Sequence, residues 1–190
     1  MRATFVFVLV VVATLACAQG GAEPSRVDAI MDVAFNWMDR QVDIWYEDGD
    51  YPRDVQLLRM QNALRPSDYG IADTLGYMLE NVERMDEALA VYVGFRKANA
   101  AQADGPFPEA NFYFQQKLYA KVPALLEPSL ALKPHANSFR VLAHSYERLN
   151  LLSDSERVWK AYLALAPGDD PARKNLARVQ QKLKSAPTGS

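Results

Sequence analysis

Apolar residues recur at intervals of three and four along much of the chain, a pattern that predicts helices with one buried face. The pattern is clearest at Phe139, Leu142, Ala143 and Tyr146. A polar turn at 150–152 follows, and then a second amphipathic run ends at the Pro-Gly pair 167–168. Residues 136–169 therefore predict a helical hairpin. Within it, Ser153 with Glu156 three residues later predicts a capping box at the start of the second helix.

The hairpin recurs along the chain with a nearly constant period. The residues at the end of each predicted hairpin are Pro66, Ala100, Pro134 and Pro167. They are 34 (100 − 66), 34 (134 − 100) and 33 (167 − 134) residues apart. Two helices in about 34 residues, with small residues where they cross, resemble the tetratricopeptide repeat (TPR) family. Leu75-Gly76 and Ala88 match its most frequent residues.

This resemblance implies an all-α fold, an α-solenoid of stacked helix-turn-helix repeats (a TPR-like superhelix) with a C-terminal capping helix. The predicted repeats cover residues 35–68, 69–102, 103–135 and 136–169. The capping helix covers 170–184, with Asp170 as its cap, and residues 185–190 are predicted to be disordered. The resemblance also assigns repeat-packing positions, at which small residues let helices approach and large ones fill the layers: Leu75, Gly76, Leu79, Ala88, Tyr92, Ala110, Tyr113, Leu142, Ala143, Tyr146, Trp159 and Pro167.

The third repeat departs from this pattern because Pro123 and Pro128 fall in its second helix. Proline inside a helix removes a backbone hydrogen bond and clashes with the preceding turn. We therefore expect a short or kinked helix here.

The first 18 residues have the features of a signal peptide: Arg2, an apolar stretch and Ala16-Cys17-Ala18 before the cleavage point. A second interpretation is a lipobox in which Cys17 is lipidated. Both predict an exported protein, periplasmic or secreted in the first case and a membrane-anchored lipoprotein in the second. Residues 19–24 are predicted to form a flexible tether. Ser25 with Asp28 predicts a capping box for a long first helix, which we expect to cover the N-terminal face of the solenoid.

Composition and motifs argue against a catalytic activity and against nucleic-acid binding. A net charge of −2 without a basic block favours neither nucleic acid nor an anionic membrane as a partner, so membrane contact is expected only through lipidation at Cys17. Two histidines and one cysteine do not supply a metal-ligand set, and no nucleotide-binding or hydrolase motif occurs. We predict no catalytic residue, metal or cofactor, and hence no enzyme.

The resemblance implies that the first helix of each repeat lines a concave groove for a peptide or a partner helix. Counting its groove positions onto this chain gives the candidate partner-binding residues: Asn36, Asp39, Asp43, Tyr46, Asp73, Tyr77, Glu80, Asn111, Phe114, Asn137, Arg140, His144 and Glu147. The acidic N-terminal part favours a protein or peptide partner with basic residues. The alternative is a structural or small-solute-binding envelope protein.

Overall fold

The computed structural model describes residues 25–185, and every regular element in this range is helical. Nine α-helices occur there: α1 Arg26–Asp48, α2 Tyr51–Leu64, α3 Tyr69–Asn81, α4 Met85–Ala98, α5 Phe107–Gln115, α6 Val122–Leu126, α7 Ala136–Arg148, α8 Leu152–Leu165 and α9 Asp170–Ser185. The predicted signal peptide at 1–18, the tether at 19–24, Cys17 and residues 186–190 of the predicted tail lie outside the described residues.

Each helix packs mainly against its neighbours in sequence. The chain thus stacks helical hairpins one after another, which is the arrangement of a solenoid. Helix α9 follows the last hairpin and covers its apolar side, with Val179 fully buried against the core of α7 and α8. The predicted fold class, a TPR-like α-solenoid with a C-terminal capping helix, is confirmed.

Small residues set the distance between paired helices. A Cβ atom added to Gly76 on α3 would lie 2.2 Å from two ring atoms of Tyr92 on α4. Only glycine leaves room for this ring, which is itself 4% exposed. In the last hairpin, Ala143 is fully buried and its carbonyl accepts a 2.8 Å hydrogen bond from Ser155 on α8. Backbones that approach this closely cannot accommodate a larger side chain without moving apart.

The interior consists of two apolar clusters. One centres on Leu75, Leu79 and Tyr92, and the other on Leu142 and Trp159. Most of the predicted packing residues are buried, whereas Tyr113 is half-buried and Pro167 is exposed.

The helix starts show where local sequence decides the structure. The capping box of Ser25 and Asp28 is confirmed at the start of α1. The capping box predicted at Ser153 is wrong: α8 begins at Leu152, and its N-cap residue makes no side-chain capping hydrogen bond. The turn is instead made by Asn150, whose φ of 59° is left-handed, so the helix starts before Ser153 is reached.

The expected interruption in the third repeat is confirmed. Helix α6 has only 5 residues, with Pro123 in its first turn. A 3₁₀ segment, Pro128–Leu132, replaces the remainder of the helix. Pro128 stands in the first turn of this segment, where a missing N–H costs little.

Helix α1 does not cover the N-terminal face as expected, because it is itself the outermost helix. None of its first nine residues is fully buried. Several apolar side chains on its outer side are more than half exposed: Val27, Ile30, Val33, Trp37 and Ile44. One straight helix can bury only one face against α2, so the opposite face remains in solvent.

Candidate interaction surface

The candidate partner-binding residues all lie on α1, α3, α5 and α7, the first helix of each pair. We call their solvent-facing side the first-helix face. The exposed members are Asn36, Asp39, Asp43, Tyr46, Asp73, Tyr77 and Asn137, and the half-buried members are Glu80, Asn111, Phe114, Arg140, His144 and Glu147. The hairpin repeat produces this arrangement, because every second helix takes the other side of the stack.

Two tyrosines join the first two hairpins on this face. Tyr46 on α1 is 45% exposed and Tyr77 on α3 is 52% exposed. The neighbouring phenol of Tyr77 raises the pKa of Tyr46. The ring of Tyr46 also lies 5.9 Å from that of Tyr51. A partner would therefore meet an aromatic surface between α1 and α3.

Acidic residues surround this aromatic surface on α1 and α2. Asp39 accepts a 2.7 Å hydrogen bond from the buried amide of Gln61, which fixes its carboxylate. Asp54 on α2 is fully buried, and neither of its carboxylate oxygens has a hydrogen-bond partner among the described residues. Burial, and then the charges of Asp43 and Asp50, raise the pKa of Asp54 to about 6. Burial is thus the main cause that opposes ionisation of Asp54, and the negative charges of its neighbours add to it.

The acidic surface continues along α3. Asp73 reaches solvent, but the protein around it limits its hydration, and this burial raises its pKa. Glu80 accepts a 2.7 Å hydrogen bond from the hydroxyl of Tyr92. Burial nevertheless raises the pKa of Glu80, with Asp73 adding to the effect. A cationic group placed beside these carboxylates would relieve both their poor hydration and their mutual repulsion.

A cavity of about 660 Å³ lies where the starts of α3, α5 and α7 meet, and Asp73 stands one turn further along α3 than the lining residue Tyr69. Its walls include the rings of Tyr69 and Phe107, together with Asp104, His135 and Asn137. The Asp104 carboxylate accepts a 2.8 Å hydrogen bond from the backbone N–H of His135, which ties the cavity to the start of α7. The cavity therefore combines aromatic walls with a fixed carboxylate.

Two residues of this cavity stand at groove positions of the repeat and were nevertheless missed from the sequence. Asp104 and Phe107 occupy positions two and five of the third repeat, the same positions that identified Asn36 and Asp39 in the first repeat. Counting those positions in the third repeat would have found both. Asn137 is the only cavity-lining residue among the candidates identified from the sequence.

The C-terminal part of the face is held by internal ion pairs. Arg140 donates a 2.7 Å hydrogen bond to Asp169, and the hydroxyl of Tyr162 donates another at 2.6 Å. Asp169 also caps α9 by accepting the N–H of Ala172 at 2.9 Å, so the cap is Asp169 rather than the predicted Asp170. These donors, Tyr162 first, lower the pKa of Asp169 to about 2.

Glu147 is similarly engaged. It accepts hydrogen bonds from Arg178 at 2.7 Å and from Lys182 at 2.8 Å, both on α9. These hydrogen bonds, with Arg178 the stronger cause, lower the pKa of Glu147 to about 2. Its neighbour His144 packs edge-on against Trp159 at 5.1 Å, and burial lowers the pKa of its imidazole. Helix α9 thus closes this part of the face, which leaves the acidic and aromatic surface of α1, α3 and α5 as the stronger site.

Two further properties concern residues 25–185 alone. No group of three or more His, Cys, Asp or Glu side chains there is arranged to hold a metal ion. No helix in the same range is long and apolar enough to cross a membrane.

Fold and surface together define a class: a solenoid of helical hairpins with a polar face along its first helices. Solved structures of MamA share this architecture. The MamA RS-1 ArsTM double mutant matches with a TM-score of 0.62 and 14% identity over 79% of this chain and 85% of that chain. MamA 41-end from Desulfovibrio magneticus RS-1 matches with a TM-score of 0.61 and 15% identity over 78% of this chain and 85% of that chain. MamA AMB-1 matches with a TM-score of 0.58 and 16% identity over 80% of this chain and 84% of that chain. At these identities the likeness concerns the fold. Neither a protein-family model nor a curated protein matches the sequence.

Proposed function

We propose that this protein is a TPR-type interaction scaffold or adaptor rather than an enzyme, and that it binds a peptide or a partner helix along its first-helix face. One observation carries the proposal. Acidic and aromatic side chains lie together on a single face, from Asp43 and Tyr46 through Tyr77 and Asp73 to the cavity lined by Phe107. A solenoid offers such an extended surface because each repeat adds one helix to it.

The chemistry of the face favours a partner segment with basic residues. A lysine or arginine entering the cavity would meet the rings of Tyr69 and Phe107 and the carboxylate of Asp104. A desolvated cation over aromatic rings gains about 2 kcal/mol, and a nearby carboxylate adds to it. The raised pKa of Asp73 supports this choice, because a cation would stabilise the ionised form of that group.

The test uses peptides selected from a random display library with the protein as bait, followed by fluorescence anisotropy. We expect enrichment of lysine and arginine beside aromatic residues, and weaker binding at higher salt. The double variant Asp43→Lys/Asp73→Lys should weaken binding at least tenfold, as expected for the loss of about 1.4 kcal/mol. Asp39 is left intact because it bonds the buried Gln61.

The control is Asp86→Lys, which makes one such charge reversal at an exposed residue of α4, a second helix. It should leave the affinity within about twofold. Selection of acidic peptides, or equal weakening by the control and the double variant, would refute the proposed surface.

A second candidate function rests on the cavity alone. A volume of about 660 Å³ is within the range of small-molecule sites, which is roughly 300–1,000 Å³. The protein would then bind a small cationic solute as an envelope component. Native mass spectrometry of the purified protein distinguishes the two, since a retained small molecule lost in Phe107→Ala would favour the solute.

We also propose that the chain is exported, on the sequence of residues 1–18. Cell fractionation should find it outside the cytoplasm. Labelling with a radioactive fatty acid separates the two routes, because only the lipoprotein would carry label, and Cys17→Ser would remove it.

A further inference from the structure

The outer side of α1 carries an apolar stripe that no described element covers. Ile30, Val33, Trp37 and Ile44 are each more than half exposed, and they follow one another at spacings of three, four and seven residues. At about 100° per residue these positions fall within a narrow arc of the helix. Spacings of three, four and seven are those of a helix-pairing seam.

The stripe is separate from the first-helix face. Asp39 and Asp43 lie on α1 as well, but about a third of a turn or more away around the helix from Trp37. The opposite side of α1 buries Phe35 against the rest of the fold. Occupation of the stripe therefore leaves the proposed peptide surface accessible.

The arrangement along the stripe is symmetric about Trp37. Ile30 and Ile44 lie seven residues before and after it, and Arg26 and Asp48 lie eleven before and after. The helix thus begins with a positive charge and ends with a negative one in line with the stripe. The other acidic residues near its start are engaged elsewhere, Asp28 with Ser25 and Asp32 with Arg65.

We infer that the stripe binds a second copy of this chain, with the two α1 helices antiparallel and the twofold axis at Trp37. A twofold interface requires a surface that complements itself, and antiparallel pairing of this sequence provides one. The facing residues are Arg26 with Asp48, Ile30 with Ile44, Val33 with Gln41, and Trp37 with its own copy.

Three physical features support this occupant. The pairing places each Arg26 opposite an Asp48, so that both ends carry an attractive charge pair, whereas parallel pairing would place like charges together. Antiparallel helices also bring opposite ends of their dipoles together. The helix has 23 residues and is about 35 Å long, so it offers a seam of about six turns to a second α1.

A central tryptophan gives the interface an anchor. Trp37 is 66% exposed, and the guanidinium of Arg40 lies 5.4 Å from its ring centroid. Buried aromatic residues near the centre of an interface contribute most of its affinity. The dimer would carry two first-helix faces, which strengthens capture of a repeated or immobilised partner without further contacts.

The test is the molar mass in solution, measured by sedimentation equilibrium. The sample is the mature protein, purified after the producing cell has exported it. We expect a mass that rises with concentration from one copy to two. Trp37→Glu should give one copy at every concentration with an unchanged helical circular dichroism spectrum. Leu165→Glu is the matched control, since Leu165 is 50% exposed on α8, and it should dimerise like the wild type.

Charge exchange tests the orientation. Arg26→Glu and Asp48→Arg should each weaken the dimer roughly tenfold, because twofold symmetry repeats the disrupted pair at both ends. The combined variant Arg26→Glu/Asp48→Arg should restore the wild-type dissociation constant. Arg26→Glu places a negative charge at the N-terminus of α1, and Asp48→Arg places a positive charge at its C-terminus. Both changes stabilise the helix through its dipole, so loss of helix cannot explain a weaker dimer.

Three results would overturn the inference. The first is a single copy at all concentrations, which would mean that residues 1–24 or a different partner occupy the stripe. The second is a dimer that survives Trp37→Glu. The third is a combined charge variant as weak as the single ones, which excludes antiparallel pairing.

Discussion

Replacing Gly76 with alanine tests the close contact between α3 and α4. The new Cβ atom would lie 2.2 Å from two ring atoms of Tyr92 and 2.5 Å from its hydroxyl oxygen. An ordinary contact is about 3.4 Å or more, so the ring must move by roughly 1.2 Å. The ring is 4% exposed, its hydroxyl donates a 2.7 Å hydrogen bond to Glu80, and its centroid lies 6.0 Å from that of the Phe112 ring. It therefore has little space in which to move.

Overpacking of this kind costs about 1–3 kcal/mol, and this contact belongs at the upper end because three atoms clash. Replacing a helical glycine with alanine returns up to about 1 kcal/mol. We therefore expect Gly76→Ala to destabilise the fold by about 2 kcal/mol. Gly94→Ala is the matched control: nothing lies within 4 Å of the added atom on α4, so it should stabilise the fold by up to about 1 kcal/mol.

The assay is urea unfolding followed by circular dichroism at 222 nm. The unfolding free energies of the two variants are compared on condition that the dependence of the free energy on urea concentration, the m-value, is the same for both. Combining Gly76→Ala with Tyr92→Leu should cost less than the sum of the two, because the smaller side chain removes the clash. If Gly76→Ala is as stable as Gly94→Ala, or if the double variant is additive, the reasoning about close approach is wrong.

Two further predictions concern buried or paired carboxylates. Asp54 has its pKa raised from 3.8 to about 6, so the folded state binds its proton more tightly than the unfolded state, and wild-type stability should fall as pH rises from about 4 through 6. Asp54→Asn should therefore gain stability relative to wild type over this range, by up to about 3 kcal/mol at 1.36 kcal/mol per pKa unit, whereas Asp86→Asn should show no such gain. A difference in unfolding free energy that does not change between pH 4 and pH 8 would contradict the burial of Asp54. For Glu147 the sign is opposite: a pKa lowered from 4.5 to about 2 stabilises the fold above about pH 4.5, and the effect disappears as pH falls towards 2. Glu147→Gln should cost about 1–2 kcal/mol at pH 7, allowing for the solvent exposure of Arg178 and Lys182, and thermal unfolding at pH 7 and pH 3 measures the decrease of this cost.

Much of the fold could be predicted from the sequence because its signals are local and repeated. The three-and-four spacing around Leu142 specifies a helix without reference to the remainder of the chain. Pro123 and Pro128 limit the helix around them through their own rings, and Gly76 fits a crossing that recurs at the same position of the repeat. The predicted cap of α8 differs from the observed one by two residues and that of α9 by one, within the range over which helix ends ordinarily vary.

The candidate surface could be predicted only in part. Repeat counting identified Asp73 and Tyr77 on one face, and the same counting applied to the third repeat would have added Asp104 and Phe107. It could not show that Arg140 and Glu147 are already paired, since their partners Asp169 and Arg178 lie 29 and 31 residues further along the chain.

The sequence by itself determined which segments are helical, where they break and that they pair in hairpins, because periodicity, proline and glycine act within a few residues. Only the tertiary structure decided which carboxylates are paired, which carboxyl group is buried without a partner, and which side of α1 remains in solvent. Those properties depend on distances between helices, and the energy of a charge or an apolar surface is set by what the fold places beside it.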